Sequence, residues 1–166
     1  FLAIGFETTT PPTALVIRQA RAEGLSNFSV LCNHVLTPPA MTAILASGEA
    51  RLDGVVGPAH VSTVIGSEPY AFCARDYATP LVIAGFEPLD VLQAVRMLVR
   101  QVNLGRAEVE NEFTRAVTPT GNRRAQALMA EVFALRPSFE WRGLGSIPRS
   151  ALAIRAEFAA WDAEAR

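Results

Sequence analysis

A chain of 166 residues, half of them hydrophobic and with a net charge of −1, can bury a core as one or two small domains. That charge gives no reason to expect nucleic acid or an anionic membrane as partner. All fifteen basic residues are arginine, which excludes a Schiff-base lysine and a phosphate-loop lysine within the chain. Two cysteines, Cys32 and Cys73, make no disulfide framework, and no apolar run nears the roughly 20 residues of a membrane span. A cytoplasmic setting is expected. The chain opens directly on a strand-like run without a methionine, so it reads as a piece of a longer protein with no signal peptide.

Leu2-Ala3-Ile4-Gly5-Phe6 is a buried strand by its apolar run. Thr8-Thr9-Thr10 before Pro11-Pro12 predicts a threonine N-cap and a helix that stops near Gly24. Ser29-Val30-Leu31-Cys32 is a second strand, ending in Asn33-His34, and Thr37-Pro38-Pro39 opens a second helix to Ser47-Gly48. A third strand, Gly54 to Gly57, breaks at Gly57-Pro58 and restarts as a helix with His60, Ser62 and Thr63 in its first turn. Pro69 starts a further helix to about Tyr77. Pro80 to Phe86 is the fourth and most apolar strand. Glu87-Pro88-Leu89-Asp90 opens the longest helix, with Leu92, Val95, Val99 and Val102 on one stripe. Gln93, Arg96, Arg100 and Asn103 make the opposite, exposed one.

Strand–helix four times over predicts an α/β fold, with a parallel sheet of about four strands flanked by helices. The expected type is flavodoxin-like or Rossmann-like, in an order such as 2-1-3-4. This domain is expected over 1–106. Residues 107–166 differ and read as a smaller α+β C-terminal extension. There Glu112 to Val117 is a weak strand, and Thr120-Gly121-Asn122 precedes a helix to about Leu135 with Ala125, Leu128, Met129 and Val132 inward. Phe139-Glu140-Trp141 is a strand, Gly143-Leu144-Gly145 and Ile147-Pro148 are loop, and Glu157 to Ala165 is a terminal helix.

Ligands of open α/β sheets bind at the carboxyl ends of the strands. After the first strand stand Glu7, Thr8 and Thr9, and after the second Asn33 and His34. The third is succeeded by His60 and Ser62, and the fourth by Glu87 and Asp90. These residues either converge on one polar edge or are N-caps and loop ends. The field at a helix start disfavours imidazolium, so His60 is read as neutral near pH 7 and able to exchange a proton. The alternative is that His60 and Ser62 only cap a turn. Glu7 and Glu87 are candidates for an acid–base pair, at a distance the sequence does not fix. Cys32 and His34, at i and i+2, share a face but are too few ligands for a metal site. Trp141 and Arg142 either face a partner or close the core. No G-x-G-x-x-G fingerprint is present.

Taken together, several blocks resemble the HypD family of hydrogenase maturation proteins. They are Gly5-Phe6-Glu7-Thr8-Thr9, Cys32-Asn33-His34, Gly57-Pro58-Ala59-His60-Val61-Ser62 and Ala84-Gly85-Phe86-Glu87-Pro88-Leu89-Asp90. Val109-Glu110-Asn111, Gly121-Asn122 and Trp141-Arg142-Gly143-Leu144-Gly145 come next, in the family's order. The resemblance covers nearly the whole chain. It implies a scaffold for the Fe(CN)2CO unit of nickel–iron hydrogenases, working with a HypC-like chaperone and a HypE-like cyanide donor. It also implies iron and a four-iron four-sulfur cluster for the full-length family. The cysteine motifs that would hold them are absent here, so no cofactor and no metal ligand is expected in this stretch. Ala59 stands where the family usually has glycine, and Leu81 where many members have cysteine. By resemblance 1–106 is the family's second α/β domain, and 107–166 packs on it or returns to the missing first domain. Glu7, Thr8, Thr9, His60, Ser62 and Glu87 match family motifs and would line a cleft. His60, Glu7 and Glu87 are the candidates for catalysis. The competing reading is a stand-alone flavodoxin-like small-ligand-binding domain or enzyme.

Overall fold

The computed structural model describes residues 1–165. It is α/β throughout its first two thirds, with parallel strands flanked by helices, and its last third adds short antiparallel pairs. The parallel strands lie in two sheets rather than in one of order 2-1-3-4. An apolar run fixes where a strand lies but not which neighbour it pairs with. By contact the chain forms two compact units, residues 1–40 together with those from 123 on, and residues 41–122.

In the first unit, β1 (Leu2–Gly5) pairs in parallel with β2 (Leu31–His34), Leu2 opposite Leu31 and Gly5 opposite His34. Between them runs α1 (Thr10–Ala22), with Pro11 and Pro12 at its start and Gly24 in the left-handed conformation beyond its end. Ala14, Ile17 and Ala20 are its buried side. The expected threonine cap is not made. Thr9 and Thr10 donate their hydroxyls back to the Phe6 carbonyl, which the turn after β1 presents to them. The α2 helix (Thr37–Ser47) begins in this unit. Farther on, α6 (Arg123–Val132) runs straight into β6 (Phe133–Leu135), so this helix ends three residues earlier than its pattern suggests. β6 pairs antiparallel with β9 (Leu152–Ile154).

β7 (Ser138–Trp141) and β8 (Gly145–Pro148) form a hairpin, so the Gly145 to Pro148 stretch expected as loop is a strand. Gly143 and Gly145 take positive φ at its tip, which is how a glycine-rich stretch turns a hairpin. The chain closes with a 3-10 helix, Ala156–Trp161, where an α-helix to Ala165 was expected; Phe158 departs from helical φ/ψ inside it. Ala3, Ile17, Val30, Cys32, Val132, Phe133, Leu152, Ile154 and Phe158 share one core.

In the second unit β4 (Leu81–Ala84) lies between β3 (Val55–Pro58) and β5 (Val109–Asn111), all parallel. All four residues of β4 are buried. Leu81 and Ile83 point into a core with Ala59, Tyr70, Cys73, Phe113 and Val117, whereas Val82 and Ala84 meet Ala94, Met97 and Leu98 of the helix on the other face. β3 carries on through Gly57-Pro58 instead of breaking there, and α3 (Ala59–Ile65) begins at once. A 3-10 turn (Glu68–Tyr70) and α4 (Ala71–Tyr77) lead to β4. β5 lies earlier than the Glu112 to Val117 strand expected, because pairing ends where the Glu112 N–H reaches the Ile83 carbonyl and the chain turns.

The long helix α5 (Pro88–Asn103) is rotated from its expected setting. Its buried residues are Asp90, Ala94 and Gln101, and the Leu92, Val95, Val99 and Val102 stripe faces outward. Polar tethers set the rotation. Arg115 holds Asp90, while Gln101 accepts from the Glu108 N–H at 2.8 Å and donates to Glu110 at 2.6 Å. Ala94 lets the helix lie close on β4.

Candidate functional site

The carboxyl ends of β3 and β4 carry the group of side chains with most chemical interest. Pro58 is the N-cap of α3 and makes no side-chain cap, so His60 stands in the first turn without capping duty. Its imidazole is exposed and lies flat on Phe86, with ring centroids 4.6 Å apart and planes at 19°. Phe113 is its second aromatic neighbour, at 6.1 Å. Neither ring nitrogen bonds to another described residue, so both edges are available to give or take a proton.

Behind His60 an ion-pair cluster fixes the floor. The Arg115 guanidinium carbon sits 3.8 Å from the Phe113 ring centroid. The same guanidinium donates to both oxygens of Asp90 and, at 3.0 Å, to Glu87 Oε2. These charge-assisted bonds from Arg115 hold the Asp90 carboxyl below its ordinary range. Glu112 is shifted the other way, upward, by burial and by the charge of Asp90; its Oε2 is buried with no hydrogen-bond partner among the described residues. A Cβ on Gly85 would clash with Asp90 Oδ2 and with the Phe113 ring, so glycine there is what lets the cluster close. Glu87 therefore stands as an ion-paired carboxylate at the start of α5.

Ser62 is buried, its hydroxyl donating 2.8 Å to the Pro58 carbonyl one helical turn back. The end of α3 is pinned from the other side. Gly66 and Gly121 interleave so closely that a Cβ on either would collide with backbone, and the Asn122 N–H donates to Val64. This close passage accounts for Gly121-Asn122 in the sequence.

Glu7, Thr8 and Thr9 belong to the first unit. Glu7 is 2% exposed and both its oxygens are taken, Oε1 by the Thr37 N–H and Oε2 by the Thr37 hydroxyl, each at 2.9 Å. It anchors the start of α2. Thr8 is half-buried and Thr9 exposed. Burial raises the Glu7 pKa, and the Thr37 bonds offset this only in part. A carboxyl raised on folding adds stability that is full below the ordinary value of 4.5 and is lost as pH rises through its own raised value. Glutamine keeps both contacts to Thr37, because the threonine hydroxyl can accept as well as donate. Melting temperature measured against pH should therefore show Glu7→Gln gaining on the parent as pH climbs past that region. A constant difference would contradict this.

His34 is buried, with Nε2 2.9 Å from the Thr13 hydroxyl and the ring edge-on to Phe133. Burial lowers its pKa, so it is neutral in the interior. The Cys32 thiol donates to the Leu152 carbonyl, and burial raises its pKa; the Cys73 thiol is pushed up to about 11 by the same cause. Both are core thiols of low reactivity. Trp141 is half-buried, donates 2.8 Å to Ser150 and packs beside Phe6. Among the described residues no three of His, Cys, Asp or Glu are grouped so as to hold a metal ion. No helix among them is long and apolar enough to cross a membrane.

His60, Glu87 and Asp90 stand out in the sequence, whereas their neighbours Phe86, Phe113 and Arg115 do not. The family model for HypD, described as the hydrogenase formation hypA family, matches residues 1–166. The chain belongs to the HypD family. It is 69% identical to the hydrogenase maturation factor HypD of Cupriavidus necator, over 100% of this chain and 45% of that protein. It is 70% identical to the HypD of Azotobacter vinelandii with the same coverage, and 43% identical to that of Escherichia coli over 99% of the chain and 44% of the relative. The chain thus spans less than half the length of the curated HypD relatives it matches. The reading as a stand-alone flavodoxin-like domain is not favoured.

Proposed function

We propose that this chain is a stretch of a cytoplasmic scaffold on which the Fe(CN)2CO unit of nickel–iron hydrogenases is assembled with a HypC-like chaperone and a HypE-like cyanide donor. Iron and its diatomic ligands are cargo in this account. The cysteines that hold them, and those of a four-iron four-sulfur cluster, belong to polypeptide outside residues 1–166. The observation that carries the reading is His60. It is an exposed imidazole held flat by Phe86, with neither nitrogen bonded to another described residue, while Glu87 and Asp90 beside it are tied to Arg115. His60 supplies the proton donor or acceptor that this stretch brings to ligand attachment. Infrared spectroscopy of the full-length protein co-purified with its small partner tests the proposal. Cyanide and carbon monoxide stretching bands are expected; a complex that carries neither after expression with the whole maturation system would overturn it.

A further inference from the structure

The outward side of α5 carries Leu92, Val95, Val99 and Val102 at 66%, 45%, 52% and 45% exposure. Their spacing of three, four and three residues is that of an a/d seam, one apolar line along the helix. The inner side of the same helix already packs on Val82 and Ala84 through Ala94, Met97 and Leu98. A helix apolar on both sides is normally covered on both. Leu89, at 78% exposure, lengthens the apolar surface at the helix start. Arg96 and Arg100 are exposed on the same helix, and neither forms an ion pair with a described residue; Arg96 reaches only the neutral Gln93. The curated relatives carry more than half of their length outside the matched stretch.

We propose that the Leu92–Val95–Val99–Val102 face of α5 is a helix-packing seam, covered in the full-length protein by an amphipathic helix from outside residues 1–166. That helix presents its own apolar repeat to the seam and acidic side chains to Arg96 and Arg100. A second copy of α5 fits less well. From Leu92 to Asn103 the helix has no acid, so two copies would bring unpaired arginines to one interface.

A photo-crosslinking phenylalanine derivative placed at Val95, and separately at Val99, in the full-length protein tests the proposal. After illumination, mass spectrometry should find the adduct on a peptide of the same chain outside residues 1–166, with acids flanking a helical apolar repeat. An adduct within residues 1–166, on a second copy in an isotopically mixed sample, on another protein, or no adduct, overturns it. The melting temperature of full-length Val99→Glu gives an independent readout. A covered seam predicts a fall of at least about 5 °C, and an unchanged value overturns the proposal. If Val99→Glu does not accumulate, the crosslink alone decides.

Discussion

Replacing His60 by alanine in the full-length protein is expected to leave the fold intact and to abolish, or sharply reduce, hydrogenase maturation. The first half rests on packing. His60 is exposed, and the ring it stacks on, Phe86, is itself 74% exposed, so little is desolvated by the pair. Losing such a contact costs about 1 kcal/mol or less. No side-chain cap exists at the start of α3, and the bond that Thr63 makes here goes to the His60 carbonyl, which survives any substitution. The second half rests on chemistry, because His60 is the exposed group of this cluster whose proton-exchanging atoms have no partner among the described residues. A capping role would predict the reverse pattern, a stability loss of roughly 0.5–2 kcal/mol with maturation falling only as protein level falls. Melting temperature, protein level and hydrogenase activity of His60→Ala separate the two.

Val82→Asp is expected to unfold the second unit. Val82 is 0% exposed at the middle of β4, the central strand, and faces Ala94, Met97 and Leu98. An unpaired carboxylate there cannot be solvated, and the cost of about 4 kcal/mol or more is a large share of a domain's stability. Loss of the cooperative melting transition is the expected readout. A variant melting within a few degrees of the parent would mean that β4 is not the centre of the sheet.

The parts of this fold that were legible in the sequence are those decided locally. Leu81 to Ala84 is apolar at every position, and a strand buried on both faces has to be. The proline pairs at 11–12 and 38–39 mark helix starts because they need no N–H there. The illegible parts depend on partners distant in sequence. The α5 period showed two stripes but not which one meets the sheet. Arg115 and Gln101 settle that by bonding Asp90, Glu108 and Glu110. Arg115 itself lies 25 and 28 residues from its two carboxylates, and no local spacing announces such a pair. Glu7 reads in the sequence as an acid–base candidate, because a buried anchor and an exposed base are the same letter. Only the two Thr37 donors reveal the anchor. His60 was legible as a helix-start residue; its setting between Phe86 and Phe113 was not.

Whether His60 exchanges a proton during ligand attachment is decided by the infrared spectrum of full-length His60→Asn, purified with its small partner after expression with the maturation system. Asparagine keeps the polarity of the site but exchanges no proton near neutral pH. A folded, partner-bound protein without the cyanide and carbon monoxide stretching bands of the parent is the expected result. Bands of parental intensity in that variant would contradict the role given to His60.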